Sequence, residues 1–238
     1  MSSQSPLSMT DWFFFVPNFI SWNFSKILNS QRFIPAVKRG DIKIIEDILS
    51  NEKMRLYIID RYGQKALAIA CRSIDIDCAR LLLENGANEY IDCAYLPEGT
   101  LLQSAVRSGR TNLVMLFLEY NANTEVIDWF GRTALFTAVV FGGHSFVRPL
   151  LENGANPDTK DSTDTPILMW SMTMLMIETV KILIEYGADL TATNNLGRSA
   201  IYLAELESWR EPTDNNTGRI EAIKKLVLEA ATKTYILK

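Results

Sequence analysis

The chain has 238 residues, 47% of them hydrophobic, and a formal net charge of −4 at pH 7. This length allows one sizeable core or a quasi-linear array of repeats. The mild acidic excess argues against nucleic acid as the main partner, because neutralising phosphates requires a basic stripe. Three scattered cysteines, Cys71, Cys78 and Cys93, do not form a disulfide framework, so we expect reduced thiols and a cytoplasmic protein.

The amino-terminal segment, residues 1–29, is rich in aromatic residues between Trp12 and Phe24. Its nearest approach to a membrane helix, the apolar run Trp12–Ile20, is shorter than the ~20 residues required, and Pro17 and Asn18 interrupt it. The favoured interpretation is a cap over the apolar edge of the domain that follows. An interfacial membrane anchor is an alternative, although basic residues are nearly absent. Docking into a partner protein is a third.

The rest of the chain is dominated by internal repeats. One pattern ends in Ala87, Ala122, Ala155 and Ala188 plus a final Asn or Asp, at intervals of 35, 33 and 33 residues. A second pattern precedes it, and self-similarity at such a period indicates a repeat architecture. The copies of the first are LLLENGAN at 81–88, LFLEYNAN at 116–123, PLLENGAN at 149–156 and ILIEYGAD at 182–189; those of the second are KALAIA at 65–70, TLLQSA at 100–105, TALFTA at 133–138, TPILMW at 165–170 and SAIYLA at 199–204.

Each unit can be interpreted as two short helices and a turn. The Thr or Ser that begins the second pattern is typical of a helix N-cap, and the small residues Ala70, Ala105, Ala138 and Ala204 allow neighbouring units to approach closely. Glycines after the second helix suit a positive φ, and glycines before the first helix suit a tight hairpin turn. The first set is Gly86, Gly154 and Gly187, and the second is Gly63, Gly131 and Gly197.

These motifs resemble ankyrin repeats, whereas the Trp, Tyr and Pro positions of a tetratricopeptide array are missing. The resemblance implies an all-α solenoid of stacked helix-turn-helix units with short β-hairpin fingers over residues 30–238, in one cooperative unit that we expect to be monomeric. The predicted repeats are 30–59, an N-terminal cap, then 60–92, 93–127, 128–160, 161–193 and 194–238, a C-terminal cap.

Several repeats depart from the pattern. Residues 94–98 are extra in the third hairpin, and Asn121 stands where glycine is usual. Pro149 is expected to kink or shorten its helix. Trp170 occupies a position where the family has alanine, and about ten extra residues, around Glu205–Asn216, separate the last two helices.

No catalytic constellation stands out. His144 is the single histidine and falls near a turn between paired helices, and its spacing to the cysteines is not that of a zinc site. Asp158, Asp161 and Asp164 lack the glycine and the terminal glutamate of a calcium loop. The sequence therefore assigns no catalytic residue, no cofactor and no metal.

The resemblance also implies a binding surface made of the hairpin tips and the concave face of the first helices. By register, we predict that the fourth repeat supplies its centre, because it places large aromatic groups there beside arginines. Met172 is open to a second interpretation as core, but its predicted register points outward. The predicted partner-binding residues are Arg61, Tyr62, Arg107, Trp129, Phe130, Arg132, Val140, Phe141, Met172 and Leu196.

The sequence therefore predicts a non-enzymatic module that binds another protein, as a scaffold, an adaptor or an inhibitor. The alternative is a membrane-associated effector or adaptor tethered through the aromatic amino-terminal segment. Membrane contact through Trp12–Phe24 is not favoured, and neither is nucleic acid binding.

Overall fold

A computed structural model describes residues 28–73, 75–93, 99–206, 213 and 216–236. The aromatic segment Trp12–Phe24, the extra residues 94–98 and most of the Glu205–Asn216 insertion lie outside the described residues. Contacts between Cα atoms divide the chain into two compact units, Met1–Tyr90 and Ile91–Lys238. Within the described residues both units consist of helices joined by turns.

Over residues 28–73 and 75–90, the first unit contains four α-helices and one 3-10 turn. They are α1 (28–39), α2 (Ile42–Ser50), α3 (Glu52–Arg72), α4 (Ile76–Glu84) and the 3-10 turn Ala87–Tyr90. The side chains of Asp41, Asn51 and Asp75 accept hydrogen bonds from backbone N–H groups in the first turns of α2, α3 and α4. These caps satisfy donors that have no partner inside the helix, so they fix where each helix begins.

The predicted hairpin at Gly63 is wrong, because α3 runs through this position without a break. The helix begins at Glu52, after its Asn51 cap and eleven residues before Gly63, and no proline interrupts it. Gly63 is buried, and a Cβ atom placed on it would lie 2.9 Å from the ring carbon Cε2 of Tyr90. This glycine therefore allows close packing against Tyr90 instead of forming a turn. Arg61 and Tyr62 consequently lie on a helix and not at a hairpin tip.

The described part of the second unit consists of successive helices joined by turns. Its helices are α5 (Leu101–Arg107), α6 (Thr111–Glu119), α7 (Ala134–Val140), α8 (Val147–Glu152), α9 (Ile167–Thr173), α10 (Ile177–Glu185), α11 (Ala200–Glu205) and α12 (Thr217–Ile236), with a 3-10 turn at His144–Phe146. Consecutive pairs pack on one another, and α12 covers α10 and α11. This is an all-α repeat fold in which the expected β-fingers are reduced, among the described residues, to the isolated bridges Lys160–Pro166 and Thr193–Ser199.

A strict interval of 33 residues sets the start of each first helix in this unit. The caps before α5, α7, α9 and α11 are Thr100, Thr133, Pro166 and Ser199. The hydroxyls of the three Thr and Ser residues accept backbone hydrogen bonds, and Thr100 forms a complete capping box with Gln103. The predicted N-caps are thereby confirmed at these three positions.

The fifth repeat is shifted by one residue from the prediction, which started its helix at Thr165. Pro166 takes the cap position because its ring fixes φ and it has no N–H to be satisfied. The buried small residue of this repeat is therefore Ser171, and Trp170 falls one position earlier. The Trp170 ring packs edge-on against Phe136 with centroids 5.9 Å apart.

The ends of the second helices agree with the sequence. Gly154 and Gly187 have φ of 87° and 82°, and Asn121 adopts the same left-handed conformation with φ of 55°. Pro149 is the third residue of α8, inside the first turn, where a backbone N–H has no helical acceptor. Because α8 has six residues where α6 and α10 have nine, the predicted shortening is confirmed.

Side chains in the loops after the second helices connect successive repeats of the second unit. The backbone N–H groups of Asn123, Asn156 and Asp189 donate to the carboxylates of Asp92, Glu125 and Asp158, each 31 residues earlier, at 2.8, 3.0 and 2.6 Å. Hydrogen bonds to a charged acceptor are stronger than neutral ones. The ladder therefore holds the repeats of this unit in register.

Candidate protein-binding surface

The hairpin between α6 and α7 is built around the buried carboxylate of Asp128. Its Oδ1 accepts hydrogen bonds from the backbone N–H groups of Phe130 and Arg132, at 2.8 and 3.0 Å. Its Oδ2 accepts from Nε and Nη2 of Arg132, at 3.0 and 2.8 Å. Gly131, with φ of 71°, completes the turn. A fully buried carboxylate is stable here because both of its oxygens are satisfied, one of them by a cation.

A second buried polar side chain supports the hairpin from α5. The Nε2 group of Gln103 donates to the carbonyl oxygens of Val126 and Arg132, at 3.0 and 2.7 Å. The carbonyl of Phe130 in turn accepts from the backbone N–H of Ser162 in the next hairpin, at 3.2 Å. Hydrogen bonds to Asp128, Gln103 and Ser162 therefore hold the hairpin, and little conformational freedom remains to be lost on binding.

Two arginines and two phenylalanines form a cation–π cluster beside the hairpin. The Cζ atom of Arg132 lies 4.5 Å from the ring centroid of Phe130 and 5.5 Å from that of Phe141. The Cζ atom of Arg107 lies 5.2 Å from the Phe141 centroid, and its Nη2 is 3.9 Å from Oδ2 of Asp128. Such contacts hold the rings and guanidinium groups in place.

Three aromatic side chains of this hairpin and of the end of α7 are exposed. Trp129 is 79% exposed, Phe130 58% and Phe141 48%. Ile127, next to them in the hairpin, is also exposed, although the sequence did not single it out. Large apolar side chains exposed close to one another on a folded protein are typical of interaction sites.

The other predicted residues are placed differently. Val140, at the end of α7, is half-buried, and Leu196 is exposed in the hairpin before α11. Arg61 and Tyr62 lie in the first unit, with the Arg61 Cζ atom 5.8 Å from the Tyr62 ring centroid. The structure thus joins Arg107, Asp128, Phe130, Arg132 and Phe141 in one network of pairwise contacts, with Trp129 at the hairpin tip.

Met172 is not a surface residue, so its assignment to partner binding is wrong. It is completely buried in α9, because the shift at Pro166 turns this position inward. The residue that follows Phe141 at the 33-residue interval is Met174, which is 49% exposed. Counting from the helix cap instead of from the Thr-Pro motif would have identified it.

The comparisons with known proteins agree with this repeat geometry. Residues 88–161 match the family described as ankyrin repeats in three copies. The chain contains ankyrin repeats. Ankyrin repeats are in general protein–protein interaction modules, and the family is in general non-enzymatic.

Three relatives show how this ankyrin-repeat chain compares in length. It is 31% identical over 134 residues to a B-cell lymphoma 3 protein homolog of Mus musculus, covering 55% of this chain and 30% of the relative. It is 31% identical over 108 residues to cyclin-dependent kinase inhibitor 2A of Monodelphis domestica, covering 45% of this chain and 63% of the relative. It is 32% identical over 97 residues to the ADP-ribosylation factor GTPase-activating protein AGD2 of Arabidopsis thaliana, covering 41% of this chain and 12% of the relative. The chain thus matches less than two thirds of each relative.

Two side chains with catalytic potential are Cys78 in α4 and His144 in the 3-10 turn before α8. Burial, and then the charge of Asp75, raise the pKa of the Cys78 thiol to about 12, so this thiol is unreactive at neutral pH. His144 is exposed, with its Nδ1 3.4 Å from the Thr179 hydroxyl. Within the described ranges no group of three or more His, Cys, Asp or Glu residues could hold a metal ion. No helix of the same ranges is long and apolar enough to cross a membrane.

The ankyrin hairpins before α9 and α11 repeat the Asp128 arrangement with Asp161 and Asn194. Oδ1 of Asp161 accepts from the N–H groups of Thr163 and Thr165 and from the Thr163 hydroxyl, and Oδ2 accepts from Trp170 Nε1 at 3.0 Å. Oδ1 of Asn194 accepts from two backbone N–H groups in the same way. Burial alone raises the pKa of the Asp161 carboxyl, but these hydrogen bonds together lower it below its ordinary value.

Replacing Asp161 with asparagine should therefore destabilise the ankyrin domain in a pH-dependent way. Asparagine keeps the Oδ1 acceptor but loses the charge and the bond to Trp170, which is worth about 1 kcal/mol near pH 7. Because the folded-state pKa is lowered, the stabilisation is present above the unfolded-state pKa of about 3.9 and is lost as the pH falls through the folded-state value. Urea unfolding at pH 7 and at acidic pH should show the difference between wild type and Asp161→Asn shrinking with acidity. A difference that stays constant would contradict this.

Proposed function

We propose that this chain is a non-enzymatic module that holds a partner protein on the surface formed by Trp129, Phe130 and Phe141 together with Arg107 and Arg132. The observation that carries the proposal is the 79% exposure of Trp129 at the tip of a hairpin fixed by a buried carboxylate. Keeping an indole in water is unfavourable unless a partner covers it, and tryptophan and arginine are enriched among residues that dominate binding energy.

The rigidity of the surface supports the proposal. The hydrogen bonds of Asp128 and Gln103 fix the hairpin, and the cation–π contacts fix the rings. Binding energy is lost whenever flexible side chains or loops must be ordered, so a preorganised aromatic surface gives more affinity for the same area. A surface that only completed the fold would bury these rings instead.

The names of the relatives suit a scaffold, adaptor or inhibitor. One is named as a kinase inhibitor and another as a GTPase-activating protein, and the match covers 63% of the first but 12% of the second. The smaller share leaves most of the GTPase-activating protein outside the match. We therefore propose an inhibitory or adaptor role in the cytoplasm, as a monomer that binds protein and not nucleic acid.

Affinity purification followed by mass spectrometry tests this function. The full chain serves as bait in three forms: wild type, the double variant Trp129→Ala and Phe141→Ala, and the control Met115→Ala. Met115 lies on α6 and is as exposed as Phe141, at 48%, so its removal deletes comparable surface elsewhere. The partner should be retained by wild type and control and lost by the double variant.

Calorimetric titration of the identified partner then gives the magnitude. A single hot-spot residue contributes about 2 kcal/mol or more, so the double variant should bind at least about thirtyfold more weakly while its unfolding free energy stays near that of wild type. The same affinity for wild type and double variant would contradict the assignment of this surface.

A further inference from the structure

The guanidinium of Arg132 retains hydrogen-bonding capacity after its contact with Asp128. Both bonds to Asp128, from Nε and Nη2, end on the single oxygen Oδ2. The Nη1 group donates to no acceptor among the described residues, and it is not one of their buried unsatisfied atoms. The pair Nη1 and Nη2 at the end of the side chain thus has a planar edge that suits a carboxylate.

Asp128 cannot accept any further donor, because Oδ1 receives two backbone N–H groups and Oδ2 receives the arginine. It acts as the residue that orients Arg132. The neighbouring hairpin does not compete, since both oxygens of Asp161 accept hydrogen bonds from its own repeat and Asp164 is paired with Lys160 at 3.6 Å. The oriented cation is therefore not already neutralised from the next repeat.

Apolar rings surround this cation. Its Cζ atom lies 4.5 Å from the Phe130 centroid and 5.5 Å from the Phe141 centroid, and the highly exposed Trp129 lies between Asp128 and Phe130 in the chain. A partner that covers the rings also removes water from the arginine, and charge pairs strengthen as the local dielectric constant falls. A partner that places no hydrogen-bond acceptor opposite the arginine leaves the desolvated guanidinium unpaired, and its binding is therefore weaker.

From this geometry, and resting on the function proposed above, we infer that the partner presents a carboxylate beside a large apolar side chain. The apolar side chain packs on Trp129 and Phe141, and the Asp or Glu carboxylate accepts hydrogen bonds from Nη1 and Nη2 of Arg132. The arginine thereby selects acidic-apolar segments over neutral or basic ones.

A phage library of random dodecapeptides, selected on the immobilised full chain, provides the probe. Peptides recovered from wild type should be enriched in Asp or Glu within a few residues of Trp, Phe or Leu. Each recovered peptide is then synthesised in two forms, with the acid and with the matching amide, and titrated calorimetrically against three proteins: wild type, Asp128→Asn, and the double variant Asp128→Asn with Arg132→Gln.

The variants are chosen so that the hairpin survives. Removing Arg132 alone would leave the Asp128 carboxylate buried without its cation, whereas an asparagine at this place can hold the turn as Asn194 does in the last hairpin. Urea unfolding verifies that both variants fold. The acid-to-amide change should weaken binding about tenfold or more for wild type and Asp128→Asn, and less than about twofold for the double variant.

The outcomes separate the two proposals. Peptides that bind the aromatic surface, fail to bind the Trp129→Ala and Phe141→Ala variant, and show no acid dependence overturn the carboxylate inference alone. An acid dependence that persists in the Arg132→Gln double variant also overturns it. Recovery no better on wild type than on the Trp129→Ala and Phe141→Ala variant overturns the proposed function, and this inference with it.

Discussion

Replacing Asp128 with alanine should lower the free energy of unfolding by about 3 kcal/mol or more, the cost of breaking a buried ion pair from one side. The change deletes the acceptor for two backbone N–H groups and leaves the Arg132 guanidinium, with its side chain 15% exposed, without its carboxylate. Urea unfolding followed by circular dichroism measures the loss, and the melting temperature should fall by roughly 10 °C.

Asp128→Asn is the matched control for this prediction. Its amide oxygen can take over the backbone N–H groups, as Oδ1 of Asn194 does at 3.0 and 3.1 Å from the N–H groups of Leu196 and Arg198. The asparagine variant should therefore lose less than the alanine variant, because it keeps the turn hydrogen bonds, although it too leaves the Arg132 guanidinium without its carboxylate. If alanine and asparagine cost the same, the turn hydrogen bonds contribute little and the hairpin is held by other contacts.

The fold of the second unit follows from local signals that the sequence contains. Thr100, Thr133 and Ser199 cap helices because their hydroxyls can reach backbone N–H groups three residues later, and Gly154 and Gly187 end helices because they adopt positive φ at little cost. The first unit differs because its deciding contact is not local. Gly63 has the appearance of a turn residue, and only the Tyr90 ring packed against it reveals why a glycine is needed inside α3.

The candidate binding surface could be predicted in part for the same reason. The tip positions Trp129 and Phe130 follow from the glycine of their own hairpin, and Phe141 follows from the helix that starts at Thr133. The network beneath them was not predictable, since a hairpin aspartate is usually a turn former. The burial of Asp128 and its support by Gln103, through bonds spanning 23 and 29 residues, depend on how repeats stack.

Because of the one-residue shift at Pro166, we expect Met172→Ala and Met174→Ala to have very different effects on the free energy of unfolding. Met172→Ala should lower the free energy of unfolding by about 2–5 kcal/mol, because Met172 is 0% exposed and its removal leaves a cavity. Met174→Ala should change it by less than about 0.5 kcal/mol, because that side chain is 49% exposed. Urea unfolding of the two single variants measures both values under the same conditions.

Binding completes the comparison, because Met174 stands one repeat after Phe141 on the same row of positions. If the partner extends along this row, Met174→Ala should weaken binding without changing the free energy of unfolding. Those molecules of the Met172→Ala variant that remain folded should bind the partner as wild type does. The reverse pattern, with Met174 needed for stability and Met172 replaceable, would mean that the helix starts at Thr165 after all. Met172 would then face the partner, and the cap at Pro166 would not set the register of the fifth repeat.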